Sequence, residues 1–311
     1  MYGGQSQEKA GEIATEVLRN ARDHVKEGTK IVEIADWVEN EILTLGGQPA
    51  FPCSVAVNEF AAHNVPLYGD ESIIPKNAIV KIDLGVHIDG YICDCATTIV
   101  SIYDSLKNEG KEVEVVRLRN LELASLNALK AACETIKDGI TISELGSVIH
   151  SAIESQHAVP IYNLSGHTLG QYVVHSGISI HNVRNTSNVQ LKEGMVVAIE
   201  PFATDGKGYV KDKGAVGVYS IKQFRNVRNP TARKIISKIS AERKTLPFAE
   251  RWLHKIEPSQ FMLSRAFREM LEFDLLTSYP PLAEASGGMV SQHECTVLVE
   301  KNGCHIIGGM V

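Results

Sequence analysis

Four acids, Asp83, Asp94, Glu200 and Glu294, are where the chemistry of this chain would begin, because they occupy matching points of an internal repeat. The run Ala78-Ile-Val-Lys-Ile-Asp83 aligns with Met195-Val-Val-Ala-Ile-Glu200, and Asp94-Cys-Ala aligns with Glu294-Cys-Thr. Singly, an aspartate or glutamate is far more often solvated or capping a helix, and Asp94 taken alone could belong to a turn. A carboxylate at the end of an apolar strand, however, is costly to bury without a partner, and here that happens twice at equivalent positions. Repeated halves usually pack about a pseudo-two-fold axis, which would bring the four acids to one centre. Converging carboxylates cannot all stay ionised without compensation, and a pair of divalent cations is the simplest compensation. His167, in Asn163-Leu-Ser-Gly-His167, follows two small residues that would let its imidazole enter a crowded cleft. Four carboxylates and an imidazole form a hard donor set that suits Mn, Fe or Co, or Zn in a two-metal arrangement, better than a structural thiolate zinc. Two such ions about 3.5–4 Å apart can share bridging carboxylates, hold a hydroxide that is nucleophilic at neutral pH, and polarise a carbonyl under attack.

Two further histidines could face the same cleft. His63 lies in Asn58-Glu-Phe-Ala-Ala-His63, and His175 lies eight residues beyond His167 among alternating apolar neighbours. Taken alone, each is more often a satisfied structural histidine. Beside a metal pair, a neutral imidazole can donate to a developing oxyanion or pass a proton to a leaving amine. His157, His181 and His305 have no such context and read as surface or structural.

The elements that must position these groups are also repeated. Gly28, Ile31, Glu33, Ile34, Val38 and Ile42 recur as Gly139, Ile142, Glu144, Leu145, Ile149 and Ile153; before them Leu18, Ala21, Val25 and Lys26 match Leu129, Ala132, Ile136 and Lys137. Apolar periodicity predicts helices over 6–26, 32–45, 115–137 and 143–156. Thr29 is expected to cap the second, and Thr141 with Glu144 to form a capping box on the fourth. Strands are expected over 55–57, 78–82 and 97–102, and again around 172–180, 195–200 and 293–299. Asp89-Gly90 predicts a tight hairpin between Asp83 and Asp94. An insertion separates Glu200 from Glu294. Within it 231–240, 248–255 and 259–273 look helical and carry enough apolar residues to bury a face of their own.

Composition narrows the function classes. The chain has 311 residues, 44% of them hydrophobic, and a net charge of −6, so broad nucleic-acid binding is not expected. Arg225, Arg228, Arg233 and Lys234 read as a solvated face. Six cysteines, with Cys93 and Cys95 only one residue apart, fit neither a secreted disulfide framework nor a common zinc motif; they read as reduced, mostly buried thiols. No signal peptide and no long apolar run are evident, so a cytosolic protein is expected.

Several stretches together resemble one family: Phe51-Pro through Ala61-Ala-His63, Lys81-Ile-Asp-Leu-Gly-Val-His-Ile-Asp-Gly90, Ser165-Gly-His167, His175-Ser-Gly-Ile-Ser-Ile180, Ala198-Ile-Glu-Pro-Phe202 and Gln292-His-Glu294. From about residue 8 to 308 the chain resembles the methionine aminopeptidases of the pita-bread fold. The insertion, with Thr245-Leu-Pro-Phe and Tyr279-Pro-Pro-Leu, resembles their type II. The resemblance implies an α+β fold: duplicated α/β halves related by a pseudo-two-fold about a curved antiparallel sheet. It would form a single catalytic domain over 1–311, with a helical, winged-helix-like subdomain inserted at 206–278. It implies that Asp83 is a terminal ligand of one metal, that Asp94 and Glu294 bridge both, and that His167 and Glu200 complete the other. His175 would contact the scissile peptide and His63 would line the substrate side. Phe51 would wall the methionine pocket, with Val174, Val218 and Pro247 beside it.

The activity implied is removal of the initiator methionine from nascent N-termini, with a small second residue preferred. Glu200 would take the nucleophile's proton, and the substrate α-amine would coordinate the metal held by Asp83. Two ions of Co, Mn, Fe or Zn would be the cofactors, the ribosome a further candidate partner, and a monomer the family-like state, with no DNA or membrane partner. The chain departs from eukaryotic type II enzymes in having no long lysine- and glutamate-rich N-terminal extension, and is similar to the compact archaeal form. Rival readings are an Xaa-Pro peptidase of the same fold, which usually carries a sizeable domain before the core, and a metal-less relative that binds ribosomes or RNA, which would have lost ligands.

Overall fold

A computed structural model of the chain describes residues 2–101, 112–223 and 225–310. Helices α1 (Gln5–Ala21) and α2 (Ile31–Thr44) open the first half. They bury Ile13, Val17, Leu18, Ile34, Val38 and Ile42 against one face of a sheet, as their helical spacing predicts. Helix α1 ends earlier than the expected Lys26, tightening into a 3-10 turn over Arg22–His24 where His24 stacks on Trp37. Thr29 does not cap α2; Lys30 holds the N-cap position without a side-chain bond. The reason is long-range: the Thr29 carbonyl accepts from Ile74 N, and Lys30 pairs with Ile73, so the entry to α2 is held by strand-like pairing.

The sheet itself comprises β1 (Gln48–Val57), β3 (Ala78–Ile88) and β4 (Tyr91–Ser101), in the order β1-β3-β4 and antiparallel throughout, with the short β2 (Phe60–Ala62) outside it. The β3–β4 turn is Asp89 (φ 52°) and Gly90 (φ 85°). Positive φ at both central residues is the type I′ geometry whose twist suits a two-residue hairpin. Of the strand expected over 97–102, Ile102 lies outside the described residues.

The second half repeats this order. Helices α3 (Glu112–Thr135) and α4 (Ile142–Glu154) bury Leu129, Ala132, Leu145, Ile149 and Ile153, and α4 carries the full Thr141–Glu144 capping box. Strands β5 (Val159–Pro160), β6 (Ser165–Thr168), β7 (Ser179–His181), β8 (Val196–Ile199) and β9 (Phe202–Thr204) follow. The strand expected over 172–180 is mostly loop. Gly170 and Val173 exchange backbone bonds, and Tyr172 and Gly177 take left-handed φ values, which breaks the extended run before β7.

The insertion contains β10 (Val210–Asp212), β11 (Val218–Ile221), α5 (Pro230–Arg243), β12 (Phe248–Ala249), α6 (Gln260–Glu272) and β13 (Leu276–Tyr279). Asn229 and Ser259 cap its two helices. Residues 248–255 are not one helix: Phe248–Ala249 pairs with β11, and only Glu250–Lys255 winds as a 3-10 turn. A short apolar run satisfies a buried strand as well as a helix, and here the open edge of β11 decides. Tyr219, Ile235, Phe248, Leu253, Leu263 and Met270 enclose a separate apolar cluster.

Strands β14 (Leu282–Glu284), β15 (Val290–Gln292), β16 (Cys295–Glu300) and β17 (Gly303–Gly309) complete the fold. The second sheet runs β17-β16-β8-β6-β7. It meets the first where Ala96 and Glu294 exchange backbone bonds. Where the two backbones diverge on either side, threonine hydroxyls fill the gap. Thr296 Oγ1 accepts from Asp94 N and donates to Asp94 O, each at 2.8 Å. Thr98 Oγ1 does the same for Gln292, at 2.8 and 2.6 Å. All six cysteines are free.

Candidate metal centre and substrate cavity

Sheet register places the acids on one face. Asp83 is opposite Ala96, and Asp94 is opposite Gly85. Opposed residues share a face and residues two apart share it too, so Asp83 and Asp94 are diagonal neighbours. Phe51 also lies opposite Gly85 and joins that face. In the second sheet His167 pairs with Ala198, and Cys295 with Ile199, which puts His167, Glu200 and Glu294 on one face as well. The Ala96–Glu294 bridge then fuses the two faces. Helices pack behind both sheets, so the acids occupy the opposite side.

The distances agree. His167 Nε2 is 3.7 Å from Asp94 Oδ2 and 3.5 Å from Glu200 Oε1. Ligand atoms of Asp94, His167 and Glu294 all lie within 4.8 Å of one another. Gly166 is required beside His167: a Cβ there would stand 2.4 Å from the Ala198 carbonyl, so only glycine lets β6 approach β8 this closely. The imidazole of His175 stacks on that of His167 with centroids 3.9 Å apart.

Electrostatics mark the centre as unbalanced by protein charge alone. Burial pushes the Asp83 carboxyl up to about 6. Burial, then repulsion from neighbouring acids, raises Asp94, Glu200 and Glu294 well above the usual carboxylate range. His167 is pushed down to about 3 by burial and by His175. Burial also lowers His175 and His63, so both imidazoles are neutral at physiological pH.

A cavity of about 540 Å³ opens over this face. Asp83, Asp94, His167, Glu200 and Glu294 line one side, with His63 and His175 beside them. Phe51, Val174, Val218 and Pro247 form an apolar wall. His63 holds a left-handed backbone (φ 58°), a conformation that persists for a non-glycine residue only where the surroundings over-determine it. Its Nδ1 is 3.3 Å from the Pro280 carbonyl. A carbonyl only accepts, so Nδ1 carries the hydrogen and a neutral ring leaves Nε2 as an acceptor.

Residues 5–228 match metallopeptidase family M24. The chain belongs to that family. It is similar to the methionine aminopeptidase of Archaeoglobus fulgidus, 41% identical over 96% of each chain, and to that of Thermococcus onnurineus, 42% identical over 96% of this chain and 97% of the other. Among solved structures, a thermophilic Arx1 superposes with a TM-score of 0.82 at 18% identity, covering 98% of this chain and 90% of the other. The methionine aminopeptidase of Thermotoga maritima superposes with 0.69 at 21% identity, covering 98% and 96%. These structural likenesses establish the shared fold.

M24 membership makes divalent cations the expected occupants, and the donor set fits them. Among the described residues, the basic side chain beside Asp94 and Glu200 is His167 alone, which is neutral, and Asp83 Oδ1 is buried with no hydrogen-bond partner. Two unit charges about 4 Å apart repel by roughly 4 kcal/mol at an effective dielectric near 20, so an added cation is the natural balance. Two amide side chains, which are not themselves ligand types, reach the same acids. Gln292 Nε2 reaches Asp83 Oδ2 at 3.3 Å and Glu294 Oε2 at 3.4 Å, and Asn182 Nδ2 donates to the Glu200 carbonyl at 3.2 Å. Gln292 lies inside the Gln292-His-Glu294 motif, but its role depends on Asp83, far away in the sequence. Replacing Gln292 with Met is expected to weaken metal affinity roughly 10- to 100-fold, the usual cost of losing an orienting group behind a ligand. Competition with a fluorescent chelator measures this; unchanged affinity would show that Gln292 does not orient the two carboxylates.

Proposed function

We propose that this M24 chain is a methionyl aminopeptidase that removes the initiator methionine from nascent polypeptides, preferring a small second residue, with a dinuclear metal centre held by Asp83, Asp94, His167, Glu200 and Glu294. The observation that carries this reading is the near-complete coverage of methionine aminopeptidases at about 40% identity by a chain whose acids and histidines line one cavity. Co, Mn, Fe or Zn suits the donor set. Bound there, divalent ions supply Lewis acidity that polarises the scissile carbonyl and acidifies a water.

The protein groups do the rest. Glu200, whose proton affinity is raised by burial and by Asp83, accepts the proton of the attacking water. His175, neutral and beside His167, donates to the oxygen that gains charge. His63 presents its Nε2 lone pair to the N–H groups of the substrate backbone. Phe51, Val174, Val218 and Pro247 take the flexible, apolar methionine side chain. A free α-amine fits among the carboxylates, and an internal peptide cannot offer one, which accounts for exopeptidase action.

On this reading 1–311 acts as one catalytic domain with 206–278 as its inserted subdomain, working in the cytoplasm. Among the described residues no helix is long and apolar enough to cross a membrane. The direct test is methionine release from Met-Ala-Ser and Met-Leu-Ser peptides, with Mn or Co and with a chelator. Metal-dependent cleavage of the first and little of the second is expected. No release from either by the metal-loaded protein would overturn the proposal.

A further inference from the structure

We propose that the segment Arg243–Pro247, where α5 of the insertion hands over to β12, is a clasp that sets the apolar wall of the methionine cavity, with Arg243 as its positioning residue. This rests on the reading above and assigns the insertion a specific task at the same site.

The Arg243 side chain is buried. Its Nη2 donates to the carbonyls of Pro49 and Ala50, each at 3.0 Å, and its Nε donates to the Pro247 carbonyl at 2.9 Å. The register between β1 and β3 shifts on both sides of Phe51, so the regular ladder is interrupted at the carbonyls that Arg243 takes. A guanidinium suits this place because its planar fork directs several donors at once. One face of it lies over the Trp252 ring, 4.8 Å from the centroid. One buried cation therefore ties the strand of Phe51, from the main domain, to Pro247, from the insertion, and both residues line the cavity. Phe51 is seated from beneath by Gly85, where a Cβ would come within 2.3 Å of the ring.

The next two residues hold a third wall. Lys244 has a left-handed backbone (φ 54°) and places its ammonium 3.4 Å from the centroid of the Tyr172 ring. Thr245 Oγ1 donates to the Tyr172 carbonyl. Tyr172 is itself left-handed (φ 59°), and its amide donates to the Gly90 carbonyl at 2.8 Å. It heads the loop that carries Val174 and His175. Paired left-handed residues such as these persist only where contacts over-determine them, so cutting the clasp would release Phe51 and Val174 together.

The test compares the wild type with Arg243→Met, which keeps length and apolar contact but loses all three donated bonds, and with Arg243→Lys, which keeps the charge without the fork. The readouts are L-methionine affinity by calorimetry, kcat and KM on Met-Ala-Ser and Leu-Ala-Ser, metal content and Tm. For Arg243→Met, methionine affinity is expected to weaken and KM to rise about 10-fold, with kcat within about twofold because His175 stays stacked on His167, and with a narrowed preference for Met over Leu. Metal content should not change, and Arg243→Lys should fall between. A folded Arg243→Met protein with wild-type affinity and selectivity would overturn the proposal, as would loss of kcat together with metal. If Arg243→Met fails to fold, Lys244→Met removes the ammonium from the Tyr172 ring at an exposed position outside the cavity lining; a rise of roughly threefold in KM supports the clasp and wild-type KM refutes it. A wild type that binds methionine in the cavity but cleaves neither peptide would count against the proposed function while leaving the clasp to be judged by affinity.

Discussion

Glu294→Ala should lower methionine release by about 10²- to 10³-fold, the scale on which loss of a principal electrostatic stabiliser acts, and should reduce bound metal. Glu294 follows the Gln292 side chain that also touches Asp83, and its backbone forms the bridge between the two sheets, so its carboxylate is held by both halves. The same substitution should have the opposite effect on the metal-free protein. Glu294 is raised by burial and by Asp94, Glu200 and Asp83, so removing it relieves repulsion. The chelated variant is therefore expected to melt a few degrees above the chelated wild type, at about 1.5 °C per kcal/mol for a chain of this size. Activity assays and melting curves with and without chelator separate the two effects. A variant that keeps full turnover would rule out the dinuclear scheme, and one that melts lower in both states would show that the carboxylate is structural.

The second large effect is a pH dependence that appears only when metal is removed. Asp83 is held near 6 by burial, above its ordinary value of 3.8, and burial with mutual repulsion raises Asp94, Glu200 and Glu294 well above the usual carboxylate range. The folded protein thus binds more protons than the unfolded chain between these limits, and its stability falls as pH rises. The contribution of these acids is complete below about pH 4 and is lost as pH climbs through about 6 and beyond. Bound cations reverse this, because ligands must be ionised to coordinate. The Tm gained on adding Mn is therefore expected to be small at pH 5 and larger at pH 8. Thermal melts at pH 5, 6.5 and 8, with chelator or with Mn, give the answer; a metal-induced gain that is equal or smaller at pH 8 would refute the origin assigned here. The chelated Glu294→Ala protein should show a shallower slope than the chelated wild type.

Much of this was legible in residue types because it is locally encoded. The Asp89-Gly90 turn, the Thr141–Glu144 capping box and the helical spacing of Ile34, Val38 and Ile42 are set within a few residues of chain. The repeat then allowed Asp83, Asp94, Glu200 and Glu294 to be matched, since duplicated halves bury equivalent strand ends. Local pattern failed where distant partners decide. Thr29 lost its cap to the pairing of Lys30 with Ile73. Residues 172–178 became a loop because Tyr172 is held by Gly90 and by Thr245 of the insertion. Phe248 became a strand residue because β11 had an edge to fill.

By itself, then, the sequence determined the duplicated plan and pointed to the acids and histidines that line one cavity, because side-chain alternation, turn chemistry and the recurrence of carboxylates at apolar strand ends are written along the chain. The tertiary structure alone decided that Ala96 meets Glu294, that Gln292 reaches two acids from separate halves, and that an arginine of the insertion fastens the wall carrying Phe51. Each of those depends on hydrogen bonds between groups some two hundred residues apart. Such bonds become favourable only after packing has met the entropy of closing the intervening chain.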